Sequence, residues 1–377
     1  TCALPISGLR TALTQIVAEE LDVPMTAVHL IMGSTQAAPN QGATIASASI
    51  QIHAEPLRRA AAQARSLLVQ QLATRWACLA SDLQLSDGVF SHGTRQSEVG
   101  AAVPEGGLKV ELDLATPVKP AHLYRLVGQS VPRIDIPAKA NGEPAFVHDI
   151  RWPGVLHGRV IRPPYAGADH GDFIGHTLDS VEQASIGHIP GVRAVVVQGD
   201  FVGVVADREE HAELAMLQLQ VRWKPWPRMP DVSDLEQALR ANPSTPRELI
   251  DEGDVEAALQ NAQPAMERTY VWPYQMHASL GPSCALAHWL DGADAEQPQI
   301  RLRVWAATQN PHVLRRDLAV LMDLRDTEVD VVRMEGAGCY GRNGADDVAA
   351  DAALMSRAAG APVRVQLTRE QEHAWEP

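Results

Sequence analysis

The glycine-rich segment EGAGCYGRNG, residues 335–344, constrains the fold more than any other stretch of this sequence. Before it, valines beginning at Val329 predict a short buried strand. After it, apolar residues recur every three or four positions from Val348 to Ala359, which predicts an amphipathic helix. Residues 363–367 alternate apolar and polar as a second strand does. A strand, a glycine turn and a helix direct backbone N–H groups to one place, an arrangement that suits an anion or a cofactor.

The turn contains the pattern GxGxxG at Gly336, Gly338 and Gly341. Alone, this pattern fits a structural turn as well as a binding site. An NAD-dependent dehydrogenase is one alternative, because Glu370 follows the second predicted strand where a ribose-binding acid stands in such folds. Two features oppose it: the predicted helix does not begin at the third glycine, and two aspartates at 346–347 would repel a pyrophosphate. The turn is therefore predicted to hold something other than a plain dinucleotide.

Length and charge limit the classes of protein that this chain can belong to. Its 377 residues suffice for two or three domains, and the net charge of −14 makes nucleic acid an improbable partner. No apolar run reaches membrane-spanning length and no signal peptide is visible. The chain opens on TCALPI without an initiator methionine, so we expect an internal fragment of a longer protein. The compartment stays open between cytoplasm, periplasm and a membrane-associated complex.

The order of predicted elements divides the chain into units of α+β character. Helices are predicted over residues 9–21 and 55–79, a strand at VHLIM (28–32), and a hairpin turn at Asp87-Gly88. The run ERTYVWPYQMHASLGPSCALAHW predicts two strands around the loop MHASLGP. We expect the following boundaries: an α/β segment at 7–93, a linker at 94–120, an α+β domain at 121–226, a linker at 227–245, and a last domain at 246–377 that is incomplete at its C-terminus.

Candidate chemistry lies in loops and not in a metal site. The cysteines form no CxxC and no cluster with histidine, which argues against iron–sulfur or zinc ligation within this chain. Cys339 suits a site-lining role and a small packing residue equally well. Gln275 and His277 have no ligand partners at a suitable spacing.

Four loops rich in small, amide or hydroxyl residues remain, and we name them as follows: the serine loop (42–49), the histidine loop (274–282), the amide turn (308–310) and the glycine turn (336–344). Uncharged donors of this kind suit a large organic cofactor that brings its own metal.

Several motifs in collinear order carry a resemblance to a known family. They are AEELDVP with GATIASAS, PAKANGEPAFVHDIRWPGVLHGRVIRPP, IPGVRAVVVQGDFVGVVADREEHAELA, PYQMHASLGPSCALA, WAATQNPHVLR, and GAGCYGRNGADDVAADAAL with VQLTREQEHAWEP. The chain resembles the molybdopterin-binding large subunit of the xanthine dehydrogenase/aldehyde oxidase family. It is most similar to the nicotinate dehydrogenase and isoquinoline 1-oxidoreductase type.

The resemblance implies a multi-domain α+β fold, with an aldehyde-oxidase-type a/b hammerhead domain at 121–226 between two molybdopterin-binding segments. It also implies roles for particular residues. Residues implied to hold the cofactor are Gln275, Gly338, Tyr340, Gly341, Ala46, Ser47 and Ser49, and residues implied to line the substrate pocket are Cys339, Arg342 and Asn343. Tyr340 stands where the family has phenylalanine. The family's catalytic glutamate is expected beyond Pro377.

The resemblance further implies hydroxylation of an N-heteroaromatic or aldehyde substrate with oxygen taken from water. The implied cofactor is molybdopterin with molybdenum, in its simple or its cytosine dinucleotide form. Electrons would leave through a small 2Fe–2S ferredoxin-like subunit and a cytochrome c domain or subunit, because nothing in this chain ligates such carriers. A non-catalytic assembly subunit is the remaining alternative.

Overall fold

The computed structural model describes residues 8–164, 176–225, 231–263, 265–273, 275–291 and 296–375. The helices are α1 Leu9–Leu21, α2 Ala54–Trp76, α3 Val99–Ala102, α4 Ile136–Ala140, α5 Glu209–Gln218, α6 Leu235–Ala241, α7 Val255–Asn261, α8 Pro311–Met322, α9 Asp347–Ala359 and α10 Arg369–Trp375. The strands are β1 Gln84–Ser86, β2 Val89–His92, β3 Arg95–Glu98, β4 Leu156–Ile161, β5 Leu178–Glu182, β6 Val192–Gln198, β7 Phe201–Ala206, β8 Gln220–Trp223, β9 Cys284–Trp289, β10 Leu302–Ala306, β11 Val329–Arg333 and β12 Val363–Gln366. The fold is α+β, as predicted. None of the helices described here combines the length and apolarity that a bilayer span requires.

A seven-stranded mixed sheet organises the chain, in the order β11-β10-β9-β12-β4-β7-β6. The pairs β10–β11 and β12–β4 are parallel and the other pairs are antiparallel. Its register places Val304 of β10 beside Val331 of β11 and Ala287 of β9. Because β4 pairs with β12, strands from the predicted units 121–226 and 246–377 lie in one continuous sheet. The domain boundaries along the chain stay a prediction.

Helices α8 and α9 cover one face of this sheet and form the largest core. Leu318 of α8 and Met355 of α9 are buried with apolar side chains of the strands beneath. Two strand glycines allow the helix to approach. A Cβ on Gly158 would lie 2.6 Å from the Met355 sulfur, and a Cβ on Gly203 would overlap its terminal carbon. Close contact with α9 therefore explains why β4 and β7 each carry a glycine.

The N-terminal unit is anchored by buried charge. The Glu19 carboxylate accepts backbone N–H groups from Arg125, Leu126 and Val127, and also the Lys119 ammonium at 3.0 Å. These donors lower the pKa of Glu19 to about 2, although burial opposes the shift. The connection after the predicted linker is therefore fixed against α1.

Several predicted elements are confirmed, and others are wrong. Helix α1, the hairpin turn at Asp87-Gly88 and the strand–turn–helix–strand segment from Val329 all form. VHLIM (28–32) forms no strand, and neither does ERTYVW (267–272), whose residues are exposed. Strand β3, which pairs with β2, lies within the predicted linker 94–120, whose bounds stay a prediction. Residues 227–230 of the second predicted linker lie outside the described residues.

Candidate cofactor-binding site

Backbone hydrogen bonds join the four loops named above. Thr44 of the serine loop donates its N–H to the Gln309 carbonyl in the amide turn, at 3.0 Å. Gln309 in turn donates its N–H to the Asn343 carbonyl in the glycine turn, also at 3.0 Å. Gly281 of the histidine loop donates to the Ala337 carbonyl at 2.9 Å. Segments far apart in the sequence therefore form one connected surface.

Side chains of the histidine loop add two bonds to the glycine turn. The His277 ring donates from Nδ1 to the Tyr340 carbonyl at 2.8 Å, which fixes its tautomer because a carbonyl can only accept. The Ser279 hydroxyl donates to the Cys339 carbonyl at 3.0 Å. Both side chains therefore hold the backbone of the glycine turn.

Two glycines of the GxGxxG pattern are required by this contact. Gly338 has φ 111°, and a Cβ there would lie 3.0 Å from the Leu280 backbone nitrogen. Gly341 has φ 106°, and a Cβ there would lie 3.0 Å from the His277 ring. Only glycine combines these φ values with so close an approach. The pattern therefore serves the packing of two loops against each other.

Left-handed backbone at non-glycine residues is concentrated in these loops. Ala46 and Ser47 of the serine loop have φ 51° and 55°, Ala278 has 50° and Tyr340 has 53°. The other described residues of this kind end helices or lie in turns: Asp22, Ala77, Asp87, Asp291 and Asp323. Ala46–Ser47 and Tyr340–Gly341 are likewise the central residues of turns, closed by the Ala48 N–H on the Ile45 carbonyl at 3.0 Å and by the Arg342 N–H on the Cys339 carbonyl at 2.9 Å. Such left-handed residues in loops recur at ligand-binding sites.

Exposure divides the predicted site residues into two groups. Gln275, Ala46 and Ser47 are exposed, and Tyr340 is 49% exposed. Buried members are Ser49, Cys339, Arg342 and Asn343. The structure thus assembles the loops that carry all these residues. It shows no contact between the side chains of Gln275, Ser47 and Tyr340 themselves, and their cofactor contacts stay a prediction.

The buried charges adjoining the glycine turn are paired internally. The Arg342 guanidinium bonds the Asp347 carboxylate at 3.0 Å and the Ala345 carbonyl at 3.1 Å. Asp346 accepts the Thr308 hydroxyl at 2.5 Å, and burial raises the pKa of Asp346 to about 7. Arg342 therefore faces Asp347 and not an open pocket, so its predicted substrate contact, like that of Asn343, is without support from the geometry.

The donor set fits a large organic cofactor with polar edges that carries its own metal. Within the residues that the structure covers, no group of three or more His, Cys, Asp or Glu could hold a metal ion. The surface instead offers hydroxyls, carboxamides and backbone amides. The Asn310 carboxamide oxygen is buried and accepts no hydrogen bond from the described residues. Other atoms of Asn310 line a cleft of about 320 Å³ between α8 and α9, together with Gly344 and Ala345.

The dinucleotide alternative is wrong on two counts. Strands β11 and β12, which flank α9, are separated in the sheet by β10 and the antiparallel β9, whereas a dinucleotide fold places such strands side by side. The start of α9 is occupied by Asp346 and by the Arg342–Asp347 ion pair. No anion site therefore forms at this helix end.

The sequence predicts the amide turn as a site loop but does not single out the role of Gln309 within it. Gln309 belongs to the predicted amide turn, yet its buried side chain joins two other loops. Its Nε2 donates to the Thr44 carbonyl at 2.8 Å, and its Oε1 accepts the Cys339 thiol at 2.9 Å. Burial raises the pKa of the Cys339 thiol, which keeps it protonated as this bond requires.

Comparison with known proteins agrees with this donor set. Two family models, both described as molybdopterin cofactor-binding domains, match residues 7–116 and 241–376. The chain is 55% identical to a nicotinate dehydrogenase subunit of Pseudomonas putida, over 98% of this chain and 31% of that protein. It is 26% identical to the beta subunit of isoquinoline 1-oxidoreductase from Brevundimonas diminuta, over 97% of this chain and 52% of that protein.

A solved structure shares the fold. The aldehyde oxidoreductase from Desulfovibrio gigas matches 67% of this chain and 31% of its own chain, with TM-score 0.52 and 18% identity. The chain thus spans between about a third and a half of the relatives it matches. The residues matched by the two cofactor-binding family models include the four loops described above: 7–116 contains the serine loop, and 241–376 contains the other three. The chain belongs to the molybdopterin-binding large subunits of the xanthine dehydrogenase/aldehyde oxidase family, among those of the nicotinate dehydrogenase and isoquinoline oxidoreductase type.

Proposed function

We propose that this chain forms the cofactor-binding part of a molybdenum hydroxylase that acts on an N-heteroaromatic carboxylate such as nicotinate. The observation that carries the proposal is the 55% identity to the nicotinate dehydrogenase subunit of Pseudomonas putida across 98% of the chain. The connected loop surface supports it, because its donors are uncharged and its described residues offer no metal cluster. Other N-heteroaromatics and aldehydes are the broader substrate class.

Residues on two sides of the amide turn would hold the cofactor. On one side, the Gln275 carboxamide and the backbone of Gly338, Tyr340 and Gly341 would contact the metal end. On the other side, the backbone and hydroxyls of Ala46, Ser47 and Ser49 would contact the pterin or its phosphate. The left-handed conformations of Ala46, Ser47 and Tyr340 support this assignment, since a ligand offsets their backbone strain.

When bound, a molybdenum–pterin cofactor supplies a two-electron acceptor and the place where water is activated. The chain's own contribution is to orient that group and to wall the substrate pocket. The phenol of Tyr340 is half-exposed beside the turn, where it can contact a flat aromatic substrate. We further propose that electrons leave through iron–sulfur and haem partners, and that the catalytic glutamate is supplied from outside residues 1–377.

The test uses the intact native complex, purified from cells grown on molybdate. We expect nicotinate to be hydroxylated in ¹⁸O-labelled water with the label in the product. Label derived from molecular oxygen instead would contradict the proposal. Complex from tungstate-grown cells is the matched control and should lose activity while keeping its subunits.

Molybdenum content and turnover rate, measured for variants of the glycine turn, test the alternative that this chain is a non-catalytic assembly subunit. An assembly subunit would bind no molybdenum and would not alter substrate turnover of the complex when its loops are changed. A complex that hydroxylates nicotinate but whose rate and metal content are insensitive to changes in the glycine turn would support that alternative.

A further inference from the structure

We propose that Gln309 is a positioning residue: it fixes the serine loop relative to the glycine turn, so that both can hold one cofactor molecule. This inference rests on the proposed function, in which those two loops contact the same group. Gln309 touches neither substrate nor cofactor in this account. It acts through the two loops that it joins.

All four polar groups of Gln309 take part in the junction. Its backbone accepts from the Thr44 N–H and donates to the Asn343 carbonyl, each at 3.0 Å. Its side chain donates to the Thr44 carbonyl at 2.8 Å and accepts the Cys339 thiol at 2.9 Å. Thr44 is therefore held through both its N–H and its carbonyl, and the glycine turn through two of its residues.

A carboxamide is the group that this junction requires. One end must donate to a carbonyl and the other must accept from a thiol, and glutamine is the residue of this length that offers both without charge. The Gln309 and Cys339 side chains are buried and the bond to Thr44 is partly buried, so breaking either bond leaves a polar group of the junction poorly hydrated. The Cys339 sulfur also accepts the Asn343 N–H at 3.4 Å, which extends the junction along the turn.

Loss of the Gln309 junction would affect the positions of Ala46 and Ser47 in the serine loop. They follow Thr44 by two and three positions, have left-handed backbone and are exposed. Contacts that hold this part of the serine loop include those of Gln309 and that of His53, whose ring bonds the Ala43 carbonyl at 3.1 Å. Removing the carboxamide takes away the Nε2 bond to the Thr44 carbonyl and leaves in place the backbone bond from the Thr44 N–H to the Gln309 carbonyl.

The experiment compares Gln309→Met with wild type in the intact subunit. Methionine keeps the length and removes both side-chain bonds. Hydrogen exchange should accelerate about tenfold in residues 42–48, because the side-chain bond to the Thr44 carbonyl is lost there and the bond to Cys339 is lost in the glycine turn. Alkylation of the Cys339 thiol by iodoacetamide should rise, while that of buried Cys284 should not. Molybdenum content per subunit should fall several-fold.

Two further variants make the result specific. Gln371→Met removes a comparable carboxamide on α10, which bonds the Val160 carbonyl and the Thr368 N–H, and should leave residues 42–48 unchanged. Cys339→Ala removes the thiol's bonds to the Gln309 Oε1 and to the Asn343 N–H, and exchange at residues 42–48 should stay within about twofold of wild type because the Thr44 bonds remain.

The outcomes distinguish this inference from the function it rests on. Unchanged exchange at residues 42–48 in Gln309→Met would overturn the junction. Faster exchange with unchanged molybdenum would overturn the positioning role and leave the proposed function standing. A wild-type subunit that retains no molybdenum would overturn the proposed function itself, and the positioning role with it.

Discussion

The four site loops differ from residues 231–263 and 265–273, hereafter the exposed segment, in how far tertiary contacts hold the chain. The site loops have irregular backbone, yet their polar groups bond one another and Gln309 is buried. The exposed segment carries large apolar side chains in solvent. They are Val232, Leu239, Leu249, Ile250, Val255, Leu259, Met266, Tyr270, Val271 and Trp272.

The difference between the two regions shows that a helix needs a surface to pack against as well as a suitable sequence pattern. Helices α6 and α7 lie in the exposed segment and bury no residue; each is held at its start by an aspartate, Asp234 or Asp254, that caps a backbone N–H. Helices this short are marginal without a packing surface. Helix α9 has such a surface in the sheet, and its glycine turn is fixed by the histidine loop. The two regions therefore differ in the tertiary contacts that their segments make, and not in local helix or strand propensity.

The largest expected effect contrasts a leucine from each region. Leu286 on β9 is fully buried, whereas Leu249 is 76% exposed. Leu286→Ala should lower the free energy of unfolding by about 3 kcal/mol through lost burial and a cavity. Leu249→Ala should change it by less than about 0.5 kcal/mol. Urea unfolding of this chain measures both, and similar losses would contradict the contrast.

A smaller effect contrasts two glycines of the same turn. Gly338→Ala places a methyl group 3.0 Å from the Leu280 nitrogen at positive φ, and should cost about 2 kcal/mol of stability. Gly344→Ala has no atom within 4 Å of the added Cβ and should be nearly neutral. Urea midpoints compare the two, and equal stability would show that the loop contact is not tight.

The smallest effect is a pH dependence within the site. The pKa of Asp346 is raised from 3.8 to about 7 in the folded chain. Its protonated form therefore favours folding, and this contribution is complete below about pH 4 and lost as pH rises through about 7. Asp346→Asn should gain about 1 kcal/mol over wild type between about pH 5 and pH 6. Parallel pH profiles of unfolding free energy for the two proteins across that range would contradict the raised pKa.

Sequence patterns predict a helix or strand that buries one face, and a turn whose strands are adjacent in the sequence. Helix α9, strand β12 and the Asp87-Gly88 turn follow from periodicity and turn chemistry. The run ERTYVW has strong strand propensity but pairs with no described strand. Strands β3 and β5 escape sequence prediction because they are short and mostly polar. The union of β4 with β12 in one sheet is a long-range pairing that no local pattern encodes.

The sequence predicts which loops form the site, but it does not predict the hydrogen bonds that join those loops. Small-residue composition singles out the serine loop, the histidine loop, the amide turn and the glycine turn. The tertiary bonds of Gln309 to Thr44 and Cys339 leave no signal in the sequence, since a glutamine in a polar turn is unremarkable by itself. The burial of Arg342 against Asp347 likewise depends on where α9 begins.

Molybdenum content of the intact subunit, measured by metal analysis, tests the central claim most directly. Wild type and Gly344→Ala should each retain close to one molybdenum per subunit, whereas Gly338→Ala, which separates the glycine turn from the histidine loop, should retain several-fold less. Absence of molybdenum from wild type, or equal content in all three proteins, would contradict the claim that these loops together hold the cofactor.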